Sequence, residues 1–152
     1  MEGIAMNSVK RVLNDKAGGV WSVAPETNVR DALALMAEKD IGAVMVVAGG
    51  RLVGIFTERD YVRRVVLQDR DAAQTGVGDV MTTRILFVRP DQTIEECMAL
   101  MTDRHLRHLP VLDGDALVGV VSIRDAVRYV VDEKEFMIEQ LTNYITDRNG
   151  AS

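Results

Sequence analysis

A chain of 152 residues has room for one well-buried domain, or for two small units sharing a core, but not for a catalytic domain joined to a separate regulatory one. Its 47% hydrophobic and 27% charged residues are the balance of a folded globular protein rather than a disordered one. A net charge of -5 speaks against nucleic acid or an anionic membrane as partner, and Cys97, the one cysteine, excludes a disulfide framework and a cysteine-rich zinc site and agrees with a reducing cytoplasm.

Met1 to Lys10 lacks the charged-then-apolar pattern of a signal peptide; Met6 is a candidate natural start, with Met1 to Ala5 a leftover ahead of it. Residues 8–16 read as a short helix. A short strand then leads to Pro25, Asn28 offers an N-cap, and Val29, Leu33 and Met36 recur at i, i+4, i+7 on one inward helix face. Two apolar runs, 43–47 and 52–56, joined by Gly49-Gly50, spell a hairpin, and a second helix starts near Glu58. The most apolar stretch, 41–50, is far shorter than the roughly 18 residues of a membrane span. Residues 68–80 read as a polar linker. The same order then returns: a short strand to Pro90, Thr93 as N-cap, Ile94, Met98 and Met101 on the inward face, runs 109–112 and 117–121 around Gly114-Asp115, and a helix from near Ile123. Val127, Val130, Val131, Met137, Ile138, Leu141, Tyr144 and Ile145 carry a helical period into the tail. So long an apolar stripe has to cover either its own module or a second copy, and the second option predicts a homodimer.

Shifting the chain so that Pro25 falls on Pro90 aligns the two halves without a gap. Leu52-Val53-Gly54 lands on Leu117-Val118-Gly119, and Arg59-Asp60 lands on Arg124-Asp125. The expected fold is therefore α+β: a tandem of two β-α-β-β-α units packed as one body, since a single unit has a marginal core. The units span 8–70 and 71–131, flanked by the N-terminal helix and a C-terminal helix at 132–148.

The repeated turn reads Gly54-Ile55-Phe56-Thr57-Glu58-Arg59-Asp60 and Gly119-Val120-Val121-Ser122-Ile123-Arg124-Asp125. As [ST]-x-x-[DE] at a strand-to-helix junction it is a capping box. An aspartate in a first helical turn, beside a hydroxyl and free N–H groups, can equally accept two hydrogen bonds from a ribose diol. Other clusters carry less. His105 and His108 near Asp103 lack the further ligands that a metal needs, Arg59, Arg63, Arg64 and Arg70 read as a solvated helix face, and Cys97 reads as core. Neither a G-x-G-x-x-G loop nor a Walker lysine motif is present.

The duplicate turns, together with Asp79-Val80-Met81-Thr82 and Arg107-His108-Leu109-Pro110-Val111, resemble a CBS domain pair, or Bateman module, from about Val9 to Val131. The resemblance implies a pseudo-twofold disk with up to two clefts for AMP, ATP, ADP, NAD or a related adenosine compound, without a metal. Each cleft takes the turn of one unit and the loop before the middle strand of the other. One combines Thr57, Arg59 and Asp60 with Thr82, Thr83, Leu106, Arg107 and His108; the second combines Ser122, Arg124 and Asp125 with Trp21, Ile41, Gly42 and Ala43. Arg107 can fork onto a phosphate and His108 can donate to one, more strongly when protonated, whereas Gly42 and Ala43 offer only backbone. The Asp60 site is thus expected to favour AMP, and the Asp125 site to be weaker for phosphate or to take a differently shaped compound such as a dinucleotide. The implied role is a regulatory module that signals to a separate, unidentified protein; a ligand-free interaction scaffold is the alternative. An enzyme is the weakest reading, because no nucleophile-base pair or metal set stands out.

Overall fold

Among the residues that the computed structural model describes, 7–16 and 19–150, the chain runs from α1 (Val9–Asp15) through β1 (Ser22–Val23), α2 (Val29–Lys39), β2 (Ala43–Ala48) and β3 (Arg51–Thr57). The turn α3 (Glu58–Asp60) continues into a π-helical stretch, Tyr61–Val66. The second half holds α4 (Ile94–Arg104), β4 (His108–Asp113), β5 (Ala116–Ser122) and α5 (Ile123–Gly150). The candidate start at Met6 lies outside the described residues.

Local chemistry explains the helix ends. The Asn28 side chain accepts from Asp31 N at 2.8 Å to open α2, and Thr93 Oγ1 accepts from Glu96 N at 3.1 Å to open α4. Both helices close on a left-handed residue, Asp40 (φ 53) and His105 (φ 54), after which Ile41 N and Leu106 N return to the carbonyls of Met36 and Met101. Val29, Met36, Ile94 and Met101 are buried, as the periodicity predicts.

The result is an α+β fold of two β-α-β-β-α units. β1, β2 and β3 form one sheet, with β1 parallel and β3 antiparallel to β2; β4 and β5 form the other, an antiparallel pair. The strand expected before Pro90 shrinks to one parallel bridge, Val88 with Val111. Proline is the cause: Met45 N donates to Trp21 O in the first unit, and its counterpart Pro110 has no N–H to give.

A register shift beside Gly54 and another beside Gly119 let each hairpin feed two cores. Val44, Val46 and Phe56 face the first unit's helices, and Leu109, Val111 and Val121 face the second unit's. Ala43, Met45, Ile55 and Leu52 meet Leu117 and Val120 in a third cluster that joins the sheets. Cys97 is buried in the second core, where burial first and Glu96 second push its thiol up to about 11.

The segment expected as a polar linker is structured instead. Thr75, Val77 and Val80 are buried, and Val29 N, Val77 N and Gly78 N bind Thr75 O, Thr27 O and Pro25 O, which sews residues 75–80 to the first unit. Apart from Thr75 the polar side chains face out while two valines point in, a pattern too short to register as periodic. Conversely, α1 precedes the first unit but packs in the second: Val9 is fully buried beside Ile94 and Leu109, and Val9 N donates to Gln92 O at 2.8 Å. Each unit is thus completed by a segment from ahead of the other.

The tail and the second unit's last helix are one continuous α5. Ala126 is buried, but from Val131 through Thr146 every side chain is exposed, including Ile138, Leu141 and Ile145. Among the described residues no helix is long and apolar enough to cross a membrane.

Candidate functional site

Both repeated turns form the reciprocal bonds of a capping box. Thr57 N donates to Asp60 Oδ2 at 3.0 Å while Asp60 N donates to Thr57 Oγ1 at 3.1 Å. Ser122 N and Asp125 Oδ2 stand 2.8 Å apart, and Asp125 N and Ser122 Oγ 3.1 Å. The cap does not exhaust the carboxylates, because each offers about four lone-pair positions.

The remaining capacity is used differently in the two turns. Asp60 is 6% exposed, and its Oδ1 accepts from Thr82 Oγ1 at 2.9 Å and lies 3.9 Å from Arg64 Nε. Thr82 is positioned by a two-way backbone bridge with Ile55, and Arg64 also donates to Met81 O at 2.7 Å. At the second turn Lys16 Nζ donates to Asp125 Oδ2 at 2.9 Å and to Val120 O at 3.0 Å.

Across the units, Arg59, Leu106 and Arg107 line, with His105 and Ile123, a cavity of about 380 Å³, within the range of small-ligand sites. On the other side Arg124 Nη1 reaches Asp40 Oδ2 at 3.6 Å, at the head of the Ile41-Gly42 loop. Both partners are largely exposed, so the pair orients more than it stabilises. The structure therefore brings Thr57, Asp60 and Thr82 together, gathers Arg59 with Leu106 and Arg107, and turns Arg124 toward the loop that holds Ile41 and Gly42. Thr83 is exposed. Trp21 carries the Lys39 ammonium 4.2 Å above its ring, and the Ala43 side chain lies in the cluster between the sheets.

His108 departs from expectation. A β-carbon on Gly42 would lie 3.3 Å from both His108 Cε1 and Glu58 Oε1, so the bare glycine of one unit is where the imidazole of the other fits. Burial, then the Lys16 ammonium, lower its pKa to about 4, and the carboxylate that opposes them is Asp125. The fold therefore favours the neutral imidazole, which weakens the expected charged donation to a phosphate and leaves His108 one N–H to give.

The CBS domain model matches this sequence twice, over residues 10–67 and 77–132. The chain belongs to the CBS domain family. As a CBS pair it is 37% identical over 150 residues to the CBS domain-containing protein CBSX3, mitochondrial, of Arabidopsis thaliana, covering 95% of this chain and 73% of that one. A solved CBS-domain protein from Burkholderia ambifaria MC40-6 is 47% identical with TM-score 0.80, covering 82% of this chain and 94% of that one. The fold also matches the CBS domain pair of protein MJ0100, solved with 5′-methylthioadenosine and S-adenosyl-L-methionine, at 20% identity and TM-score 0.73, covering 83% of this chain and 97% of that one.

Sequence reasoning missed Lys16, Arg64 and Asp40. Arg64 stands four residues after Asp60, an i, i+4 spacing legible in advance. Asp40 is the counterpart of His105 at the helix end. Lys16 had no such signal, because its reach to Asp125 depends on α1 crossing to the second unit.

Proposed function

We propose that this CBS pair is a regulatory module that binds adenosine compounds in its two composite clefts and reports their occupancy to a separate protein, acting as a homodimer. The observation that carries the reading is the pair of capped carboxylates, Asp60 and Asp125, which keep lone pairs for a ribose diol while the arginine beside each turns toward the other unit's loop. The ligands of MJ0100 support the adenosine class. In the Asp60 cleft Arg107 and Arg59 receive the phosphate of AMP; ADP, ATP and NAD share the same ribose and first phosphate. Signalling requires that the ligand bind one state of the module more tightly than another.

Thermal shift with AMP, ADP, ATP, NAD, adenosylmethionine and GTP tests the class, since a ligand held only by the native fold raises its apparent stability. For the site, Arg107→Ala is expected to weaken AMP in calorimetry by about tenfold or more, the loss of one charge-assisted contact. Unchanged affinity refutes the assignment. The exposed stripe of α5 favours a second reading, a dimerisation scaffold that needs no ligand. No shift with any adenosine compound decides for the scaffold, and turnover of one of them by the pure protein decides for an enzyme.

A further inference from the structure

The two turns are equivalent in backbone but not in what holds their carboxylates. Ser8 bridges Thr93 as Gly76 bridges Asn28, and Leu13 lies over Gly119 as Met81 lies over Gly54. After these matched points the segments part. The chain beyond Met81 makes a single bridge, Thr82 with Ile55, and Thr82 gives Asp60 a neutral hydroxyl. Helix α1 instead continues to Asp15, and the residue closing it, Lys16, gives Asp125 an ammonium.

We propose that Lys16 makes the second cleft selective for adenosine ligands that carry a phosphate. The inference rests on reading that cleft as an adenosine site. The Ser122 N–H and Lys16 both lie on Asp125 Oδ2, so a ribose diol that spans the two carboxylate oxygens meets Lys16 at Oδ2 and competes with it; the Lys16 side chain is 37% exposed on a flexible stem. A ligand phosphate offers the displaced ammonium a new anionic partner. Adenosine offers none, so a Lys16 displaced from Asp125 Oδ2 keeps only a neutral acceptor, Val120 O. The backbone-only loop of Gly42 and Ala43, which pointed to a phosphate-poor second cleft, is thereby offset from an element outside the repeat.

Calorimetry with AMP and adenosine separates the possibilities, the second cleft being the one whose binding is lost in Asp125→Asn. The wild-type protein is expected to prefer AMP there by about tenfold, Lys16→Met to lose most of that preference, and Lys16→Arg to keep it. If AMP and adenosine weaken in parallel in Lys16→Met, or neither changes, Lys16 has no part in selectivity and the inference fails. If Asp125→Asn leaves the binding of both compounds unchanged, the adenosine reading of the cleft fails first. Melting curves of all three variants confirm that each is folded.

Discussion

Gly119→Ala tests the crossing of α1 on which the second cleft depends. A β-carbon there would lie 2.6 and 2.7 Å from the two terminal carbons of Leu13 and 3.2 Å from its branching carbon, against about 3.5–4.0 Å for favourable contact. Rotating one methyl away drives the other in, so α1 itself has to move. It is held by Val9 N on Gln92 O and Lys10 N on Pro90 O. Overpacking of this kind costs about 1–3 kcal/mol. Neither this glycine nor Gly54 has a positive φ, so alanine also recovers about 0.4–1 kcal/mol through the unfolded state. The net loss is about 1–2 kcal/mol, or roughly 2–8 °C in Tm for a chain of this size. Gly54→Ala is the internal control. It meets Met81 along its length, from Cγ to the terminal methyl, but this unbranched side chain with three rotatable bonds can repack without moving a helix, so its loss in melting point is expected to be smaller than that of Gly119→Ala. Calorimetric melting of both variants decides: equal losses, or a Gly119→Ala protein as stable as wild type, refute the packing argument.

His108 gives a pH dependence. Its folded value near 4 lies below the ordinary 6.5, so the fold favours the neutral ring; the stabilisation is full above about pH 6.5 and is lost as pH falls toward 4. The gap corresponds to about 3 kcal/mol. In urea denaturation at pH 7.5 and 4.5, His108→Gln is expected to lose markedly less stability than wild type on acidification, and an identical loss in both proteins contradicts the assignment. For the proposed dimer, Ile138→Lys with Leu141→Lys places two charges on the exposed stripe of α5. Sedimentation is expected to show a monomer, and an unchanged dimer mass places the contact elsewhere.

The repeat made most of the fold legible, since each apolar period, N-cap and hairpin turn was written twice. What escaped depended on contacts between distant segments. The missing strand before Pro90 follows from one absent N–H, visible only once Pro110 is known to face it. Residues 75–80 looked like a linker because their two buried valines are too few for a period. The same limit hid Lys16: Thr82 was expected beside Asp60, but the donor that reaches Asp125 comes from a segment whose partner unit only the packing reveals.

That exchange of segments bears on how occupancy could be transmitted. Thr82 and Lys16 each lie on a stretch that precedes one unit, and each is anchored beside the turn of the other. A diol that claims lone pairs on Asp60 competes with Thr82, whose backbone is bonded both ways to Ile55, a residue of the cluster between the sheets. A diol on Asp125 competes with Lys16, which also holds Val120 O, and Val120 belongs to the same cluster. Both clefts therefore act on the one surface where the two units meet. A ligand changes the relative position of the units to the extent that it binds one arrangement of that surface more tightly than another. Because the first exchange involves a neutral hydroxyl and the second an ion pair, salt should weaken Lys16's hold on Asp125 and leave Thr82's hold on Asp60 largely unchanged.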